Sequence, residues 1–150
     1  MSSRSLNEVQ TAPSEKVAGF SRLWWVGLLV IVVATVVNIV LVLGATALIP
    51  GLAAFSPLGV GPIGFFTFVG ALGAVIVFAL LGRFARRPVR LFRIVAITVL
   101  VLSLIPDILM LSQPLFPSTT PASVTVLMCL HVVVAAICVG MLTTLGRARA

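Results

Sequence analysis

The sequence predicts an all-α integral membrane protein built as a bundle of four spanning helices. Of its 150 residues, 61% are hydrophobic and only 9% are charged. A soluble domain of this size carries about a quarter charged residues and fewer than half apolar ones. A chain this apolar could not bury its hydrophobic surface in one water-soluble core. The composition therefore excludes an ordinary soluble enzyme and a disordered chain.

Four stretches are long enough to cross a bilayer, which requires about 20 mostly apolar residues. We predict spans over about residues 24–49, 63–82, 91–111 and 123–145. The strands of a membrane barrel alternate apolar and polar residues, whereas residues 26–37 are almost continuously apolar. Helices are therefore favoured, and proline-rich or glycine-rich segments separate the first span from the second and the third from the fourth.

The basic residues predict the orientation, because lysine and arginine concentrate in cytoplasmic segments. All ten lie before the first span, at the junction of the second and third spans, or after the fourth: Arg4, Lys16, Arg22, Arg83, Arg86, Arg87, Arg90, Arg93, Arg147 and Arg149. We therefore expect both the N- and the C-terminus to be cytoplasmic, in a multi-pass protein of a bacterial plasma membrane. Trp24 and Trp25 stand where interfacial anchors belong.

The N-terminal segment, residues 1–21, is polar and is expected to be a mobile tail, while residues 22–150 form one four-span membrane domain. An alternative is that the first span is a cleaved signal, since Ala45-Thr46-Ala47 resembles a small-residue cleavage site. The apolar regions of signals measure about 7–15 residues, and this run is longer. Its length favours retention of the first span.

Five arginines between the second and third spans form a candidate contact for anionic lipids: Arg83, Arg86, Arg87, Arg90 and Arg93. Each juxtamembrane basic residue attracts anionic head groups by about 1 kcal/mol. Pro88 is expected to interrupt the cluster, so that it does not form one amphipathic helix. Orientation and phosphate contact are the favoured interpretation, and an acidic protein partner is the alternative. Nucleic acid is not expected, because no nucleic-acid-binding motif accompanies the charge.

Ionisable residues inside a span are costly and are candidates for functional sites. Asp107 and His131 are such residues, and Asn38 and Ser103 complete the candidate intramembrane polar site. At 1.5 Å per residue, Asp107 lies about 21 Å and Asn38 about 24 Å from the cytoplasmic end, and His131 about 14 Å below the outer surface. Ser103 precedes Asp107 by one turn, and Pro106 leaves one carbonyl without its helical donor.

Three interpretations of this site remain open. The favoured one is a structural clamp, in which Asp107, His131 and Asn38 form hydrogen bonds between spans, each worth about 0.6–2 kcal/mol. The second places Asp107 near the outer surface in water. The third is a proton or cation site with Asp107 as the carrier and His131 as its partner.

No catalytic, metal-binding or cofactor-binding pattern is present. Cys129 and Cys138 are nine residues apart on one predicted helix and face opposite sides about 13 Å apart, so they cannot form a disulfide. A single histidine cannot supply bis-histidine haem ligation within one chain, and a haem would need Met110, Met128, Met141 or the histidine of a second copy as its other ligand. No haem is expected, and the shortage of His, Cys and carboxylate side chains argues equally against a metal site.

Small residues at Gly70/Ala74 and Ala136/Gly140 allow close helix packing. Packing between spans of the same chain is the favoured interpretation of these pairs, and contact with a second copy is the alternative. The expected partners are membrane lipids, with a second copy or another membrane protein as further candidates.

Several short motifs together carry a resemblance. They are the basic tail, Asn38 in the first span, the segment Ser103–Pro106 in the third, and Leu127–His131 followed by Val132–Ala136 in the fourth. The chain resembles a family of small four-span membrane proteins of actinobacteria and related bacteria, a domain of unknown function. The resemblance implies a four-helix plasma-membrane protein and no activity.

We therefore predict a non-enzymatic membrane protein with an accessory or structural role. The alternative is a small proton-linked transporter or channel that uses Asp107, His131 and Asn38.

Overall fold

A computed structural model describes residues 19–113 and 115–146. It contains four long helices: α1 (Phe20–Leu48), α2 (Val60–Phe84), α3 (Pro88–Ser112) and α4 (Pro121–Leu145). Two short 3₁₀ turns, Leu52–Ala54 and Ser56–Leu58, connect α1 to α2. The described residues contain no strand, which confirms the all-helical fold with four helices. Most of the tail predicted to be mobile lies outside the described residues.

Each helix is long and apolar enough to cross a membrane. At 1.5 Å per residue, the 29 residues of α1 extend over about 44 Å and the 25 residues of each other helix over about 38 Å. The hydrocarbon core of a bilayer is about 30 Å thick. Every helix begins up to about one turn before its predicted span, because the span marks only the apolar part.

Helices that follow each other in the chain are neighbours in the bundle. α1 packs against α2 and α4, α3 packs against α4 and α2, and α2 also touches α4 across the centre. Short connections between antiparallel helices favour this arrangement. As a result, α1 and α3 lie on opposite sides of the bundle.

The buried apolar side chains form two separate clusters. The arginine-end cluster lies toward the α2–α3 turn and contains Leu23, Val26, Val30, Ala34, Ala71, Phe78, Val89, Phe92, Cys138 and Leu142. The loop-end cluster lies toward the other two connections and contains Val42, Leu52, Phe55, Leu58, Ile63, Leu127 and Leu130. Three members of the loop-end cluster belong to the α1–α2 connection, so that connection is part of the core.

The start of α4 is defined by a capping box. The Thr120 hydroxyl accepts a hydrogen bond from the Ser123 backbone N–H (3.1 Å), and the Ser123 hydroxyl accepts one from the Thr120 N–H (2.9 Å). These two bonds satisfy N–H groups that the helix itself leaves free. They therefore fix the residue at which α4 begins, and with it the position of His131 along the helix.

α3 continues through Pro106 without ending there.

The contact between α1 and α2 requires a glycine at position 27. A Cβ atom placed on Gly27 would lie 2.7 Å from Val75 Cγ1, and the β-branched Val75 has little freedom to move away. A Cβ on Gly44, in the same helix, would meet nothing within 4 Å. We expect Gly27→Ala to be less stable than Gly44→Ala by about 1–3 kcal/mol, the usual cost of overpacking. The gain in helix propensity is common to both variants.

The measurement is the free energy of unfolding in mixed detergent micelles titrated with sodium dodecyl sulfate. Adding Val75→Ala to Gly27→Ala should recover most of the loss, because it removes the methyl group that the new Cβ meets. Equal stabilities for Gly27→Ala and Gly44→Ala would contradict the close approach of the two helices.

Candidate intramembrane polar site

Each of the four helices contributes one polar side chain between the two apolar clusters. These residues, Asn38, Thr67, Asp107 and His131, are called the polar layer below. On α1, Asn38 lies one turn from Ala34 of the arginine-end cluster and one turn from Val42 of the loop-end cluster. The same spacing of four places Thr67 between Ile63 and Ala71 on α2. Residues four apart share a helix face, so the polar layer separates the two apolar clusters of the interior.

Asp107 on α3 meets His131 on α4. Its carboxylate Oδ2 lies 3.1 Å from His131 Nδ1. The Asp107 residue is only 3% exposed, whereas the His131 side chain is 37% exposed. The acid is thus enclosed by the bundle, while the imidazole lies between the acid and the outside of the bundle.

The imidazole nitrogen in this contact has two acceptors within reach. His131 Nδ1 also lies 3.0 Å from the carbonyl oxygen of Leu127, one turn earlier on α4. The distance to Asp107 is that of an ion pair, but Oδ2 receives no hydrogen bond of acceptable geometry. A buried acceptor without a hydrogen bond is rare in folded proteins. In the tautomer with Nδ1 protonated, the N–H is directed to the Leu127 carbonyl oxygen, and Asp107 Oδ2 lies beside it without a hydrogen bond.

The second contact of the polar layer joins α1 to α2. Asn38 Nδ2 donates a hydrogen bond to Thr67 Oγ1 at 3.0 Å, and both residues are buried. Asn38 Oδ1 and the nearby Thr35 Oγ1 are also buried, without hydrogen-bond partners. In the low-dielectric interior of a bundle such a bond links two helices specifically. The layer thus consists of two pairs, one in each half of the chain.

The structure brings together only some of the residues that the sequence singled out. Asp107 and His131 are in contact, but Asn38 pairs with Thr67, on the far side of the α2–α4 contact. Ser103 Oγ donates to the carbonyl oxygen of Leu100 at 2.7 Å, not to Asp107. Asp107 lies inside the bundle, so the expectation of an acid in outer-surface water does not describe this structure.

The sequence did not single out Thr67, because threonines in apolar helices commonly donate a hydrogen bond to a carbonyl of their own helix. Thr125, Thr143 and Thr144 do so here, each donating to the carbonyl oxygen four residues earlier. The one indication that the sequence offered for Thr67 was its position along α2. Thr67 stands at the four-residue spacing that Ile63 and Ala71 share, on the buried face of α2.

Apolar side chains cover the polar layer on both sides along the bundle axis. Toward the loops, Leu52, Phe55 and Leu58 are almost completely buried, and Phe55 packs edge-on against Phe116 at 6.2 Å. Toward the arginine end, Phe78 and Phe92 pack edge-on at 5.1 Å. The exposed part of the layer is therefore the ring of His131, at the side of the bundle.

Metal-binding groups are sparse in the part of the chain that the structure describes. Those residues contain no group of three or more His, Cys, Asp or Glu side chains that could hold a metal ion. Cys129 is exposed and Cys138 is buried, and both are free thiols. The site's chemistry is accordingly that of one acid, one imidazole and one amide–hydroxyl pair.

A family model described as a family of unknown function, DUF6069, matches residues 18–148. The chain belongs to this family. No curated protein and no solved structure matches it. The family membership covers all four helices and the whole polar layer, and it assigns no activity to them.

Proposed function

We propose that this DUF6069 protein is a non-enzymatic accessory or structural component of a bacterial plasma membrane. It spans the membrane four times, with both termini in the cytoplasm. In this proposal the Asp107–His131 contact holds α3 to α4, and the Asn38–Thr67 hydrogen bond holds α1 to α2. Polar contacts of this kind fix which helices pair and at which rotation.

The observation that carries the proposal is the position of the polar layer between two apolar clusters. A transport site needs access from both sides of the membrane, usually along a polar or water-filled path. Here buried aromatic and aliphatic side chains lie above and below the layer, Phe55 on one side and Phe78 and Phe92 on the other. A clamp needs no such path, and its polar contacts contribute more to stability when water is excluded.

A second candidate is a small proton-linked transporter or channel that uses Asp107 and His131. It is favoured by one observation, the buried Asp107 carboxylate oxygen that has no hydrogen bond although an imidazole nitrogen lies 3.1 Å away. An acid and an imidazole in contact can exchange a proton.

Proton flux into liposomes separates the two candidates. Purified protein is reconstituted into vesicles that contain a pH-sensitive dye, and a potassium gradient with valinomycin sets the membrane potential. We expect the native protein and Asp107→Asn to show the same negligible proton flux as protein-free vesicles, because the clamp provides no path. Size-exclusion chromatography verifies that both proteins are folded.

A proton flux in the native protein that Asp107→Asn abolishes would overturn the clamp and establish the transporter. Ser103→Ala is a matched control on the same helix, since its hydroxyl bonds only to the backbone. The orientation is tested separately with a fluorescent protein fused after Ala150, which becomes fluorescent only in the cytoplasm. A dark fusion, together with an active periplasmic phosphatase fusion at the same point, would contradict cytoplasmic termini.

A further inference from the structure

The turn between α2 and α3 carries a concentrated positive charge. Its five arginines, named the arginine turn here, are Arg83, Arg86, Arg87, Arg90 and Arg93, and all five are exposed. Among the described residues, none of them pairs with a carboxylate. Asp107, the acid in that part of the chain, lies about 21 Å from Arg93 along α3. Nothing described in the protein neutralises this charge.

The backbone of the arginine turn is packed against the apolar core of the bundle. Pro88 is the first residue of α3, and it is buried together with Val89. Phe92, one turn further, packs edge-on against Phe78 of α2. Buried residues thus alternate with the exposed arginines, so the packing that holds the two helices together also fixes the backbone positions from which the arginine side chains project.

Exposed aromatic side chains lie at the same end of the bundle as the arginine turn. Phe84 is exposed, and the Arg83 guanidinium lies 5.8 Å from the centre of its ring. Trp24 and Trp25 are exposed at the start of α1, beside Leu23 and Val26 of the cluster that also contains Phe92. Exposed tryptophans prefer the head-group region of a bilayer. The arginines are therefore presented at the depth of lipid phosphates.

We propose that the arginine turn is a docking surface for the phosphate groups of anionic phospholipids in the adjoining leaflet. A planar guanidinium binds phosphate through two parallel hydrogen bonds. Several of them held on one rigid turn select lipids with a net negative head group over zwitterionic lipids, whose own cationic group competes for the phosphate. This surface acts independently of the polar layer, and it rests only on that part of the proposed function which places the four helices across a bilayer.

The two tryptophans provide a reporter for the experiment, since the chain contains no others. The protein is reconstituted into phosphatidylcholine vesicles with a rising fraction of phosphatidylglycerol that carries brominated acyl chains. Bromine quenches tryptophan fluorescence on contact. We expect brominated phosphatidylglycerol to compete roughly 5–10-fold better than brominated phosphatidylcholine, which corresponds to about 1–1.4 kcal/mol. Both leaflets have the same composition, so the direction of insertion does not affect the result.

The test variant is Arg86→Gln/Arg87→Gln/Arg90→Gln, which leaves the buried residues of the turn unchanged. We expect its preference to fall to nearly 1. The matched control is Arg4→Gln/Lys16→Gln/Arg149→Gln, which removes the same charge from the chain outside the arginine turn. It should keep the native preference. Equal losses in the two variants would overturn the proposal, because net charge alone would then explain the selection.

Competition by inorganic phosphate is the second part of the experiment. Phosphate is added at an ionic strength matched with chloride, so that general screening is the same in both samples. We expect phosphate and chloride to reduce the preference equally. A selective loss in phosphate would mean that the arginine turn binds free phosphate rather than lipid, and an equal response to both lipids in the native protein would exclude lipid selection outright.

Discussion

Phe78→Ala is expected to destabilise the protein by about 3–5 kcal/mol, the usual cost of removing a fully buried aromatic ring. Phe78 has no exposed surface. Its ring packs against Phe92 of α3, and a Cβ placed on Gly146, just after α4, would lie 2.7 Å from its Cε1 atom. The ring of an α2 residue therefore fills space that α3 and the end of α4 share. The loss is measured as the free energy of unfolding in mixed micelles.

The matched controls are two phenylalanines of the same helix. Phe65 and Phe66 are exposed and pack edge-on against each other at 5.4 Å. Replacing either by alanine leaves no cavity in the bundle, so we expect losses far below that of Phe78→Ala. If all three variants lost the same stability, the arginine-end cluster would not be the packed core described above.

His131→Leu is expected to cost about 2–3 kcal/mol, because it leaves a buried acid without its partner. The cost stays below that of breaking a fully buried charge pair, because the imidazole is 37% exposed. The substitution leaves the Asp107 carboxylate, 3% exposed, without the nitrogen that lies 3.1 Å away. Asp107→Asn removes the charge instead and leaves a half-exposed imidazole. We expect that variant to lose only about 0.6–2 kcal/mol, the worth of one polar contact between spans. The two substitutions remove the same contact, but their losses of stability should be unequal.

The double variant Asp107→Asn/His131→Leu provides the control. Because it contains no buried charge, it should be more stable than His131→Leu alone, although it contains one more substitution. Unfolding of the four proteins in mixed micelles forms a double-mutant cycle. Strictly additive losses would show that the two side chains do not interact, and the clamp between α3 and α4 would have to be abandoned.

The sequence predicted the helices well because a bilayer imposes a length and a composition on anything that crosses it. All four spans are helices, and each helix contains nearly the whole of its predicted span. Pro88 was expected to interrupt the basic cluster, and it is the first residue of α3. Such local features depend on neighbouring residues alone.

The partners within the polar layer depend on how each helix is rotated, which hydropathy does not determine. Asn38, Asp107 and His131 lie at comparable depth, and depth alone suggested a single cluster. Packing separates Asn38 from Asp107, because contact between α2 and α4 puts α1 and α3 on opposite sides. Asn38 therefore forms its hydrogen bond with Thr67, and the residue type threonine does not by itself predict such a role. Ser103 illustrates the same limit, since its nearest acceptor is a carbonyl of its own helix.

The pairing of polar residues within each half of the chain has a consequence for biosynthesis. Asn38 and Thr67 belong to the first two helices made, and Asp107 and His131 to the last two. A polar side chain that enters the bilayer alone carries a penalty until it meets a partner. Here each partner arrives with the very next helix, so the chain can leave the insertion machinery as two successive hairpins. In the proposed membrane topology, the second hairpin carries Asp107 into the bilayer together with His131.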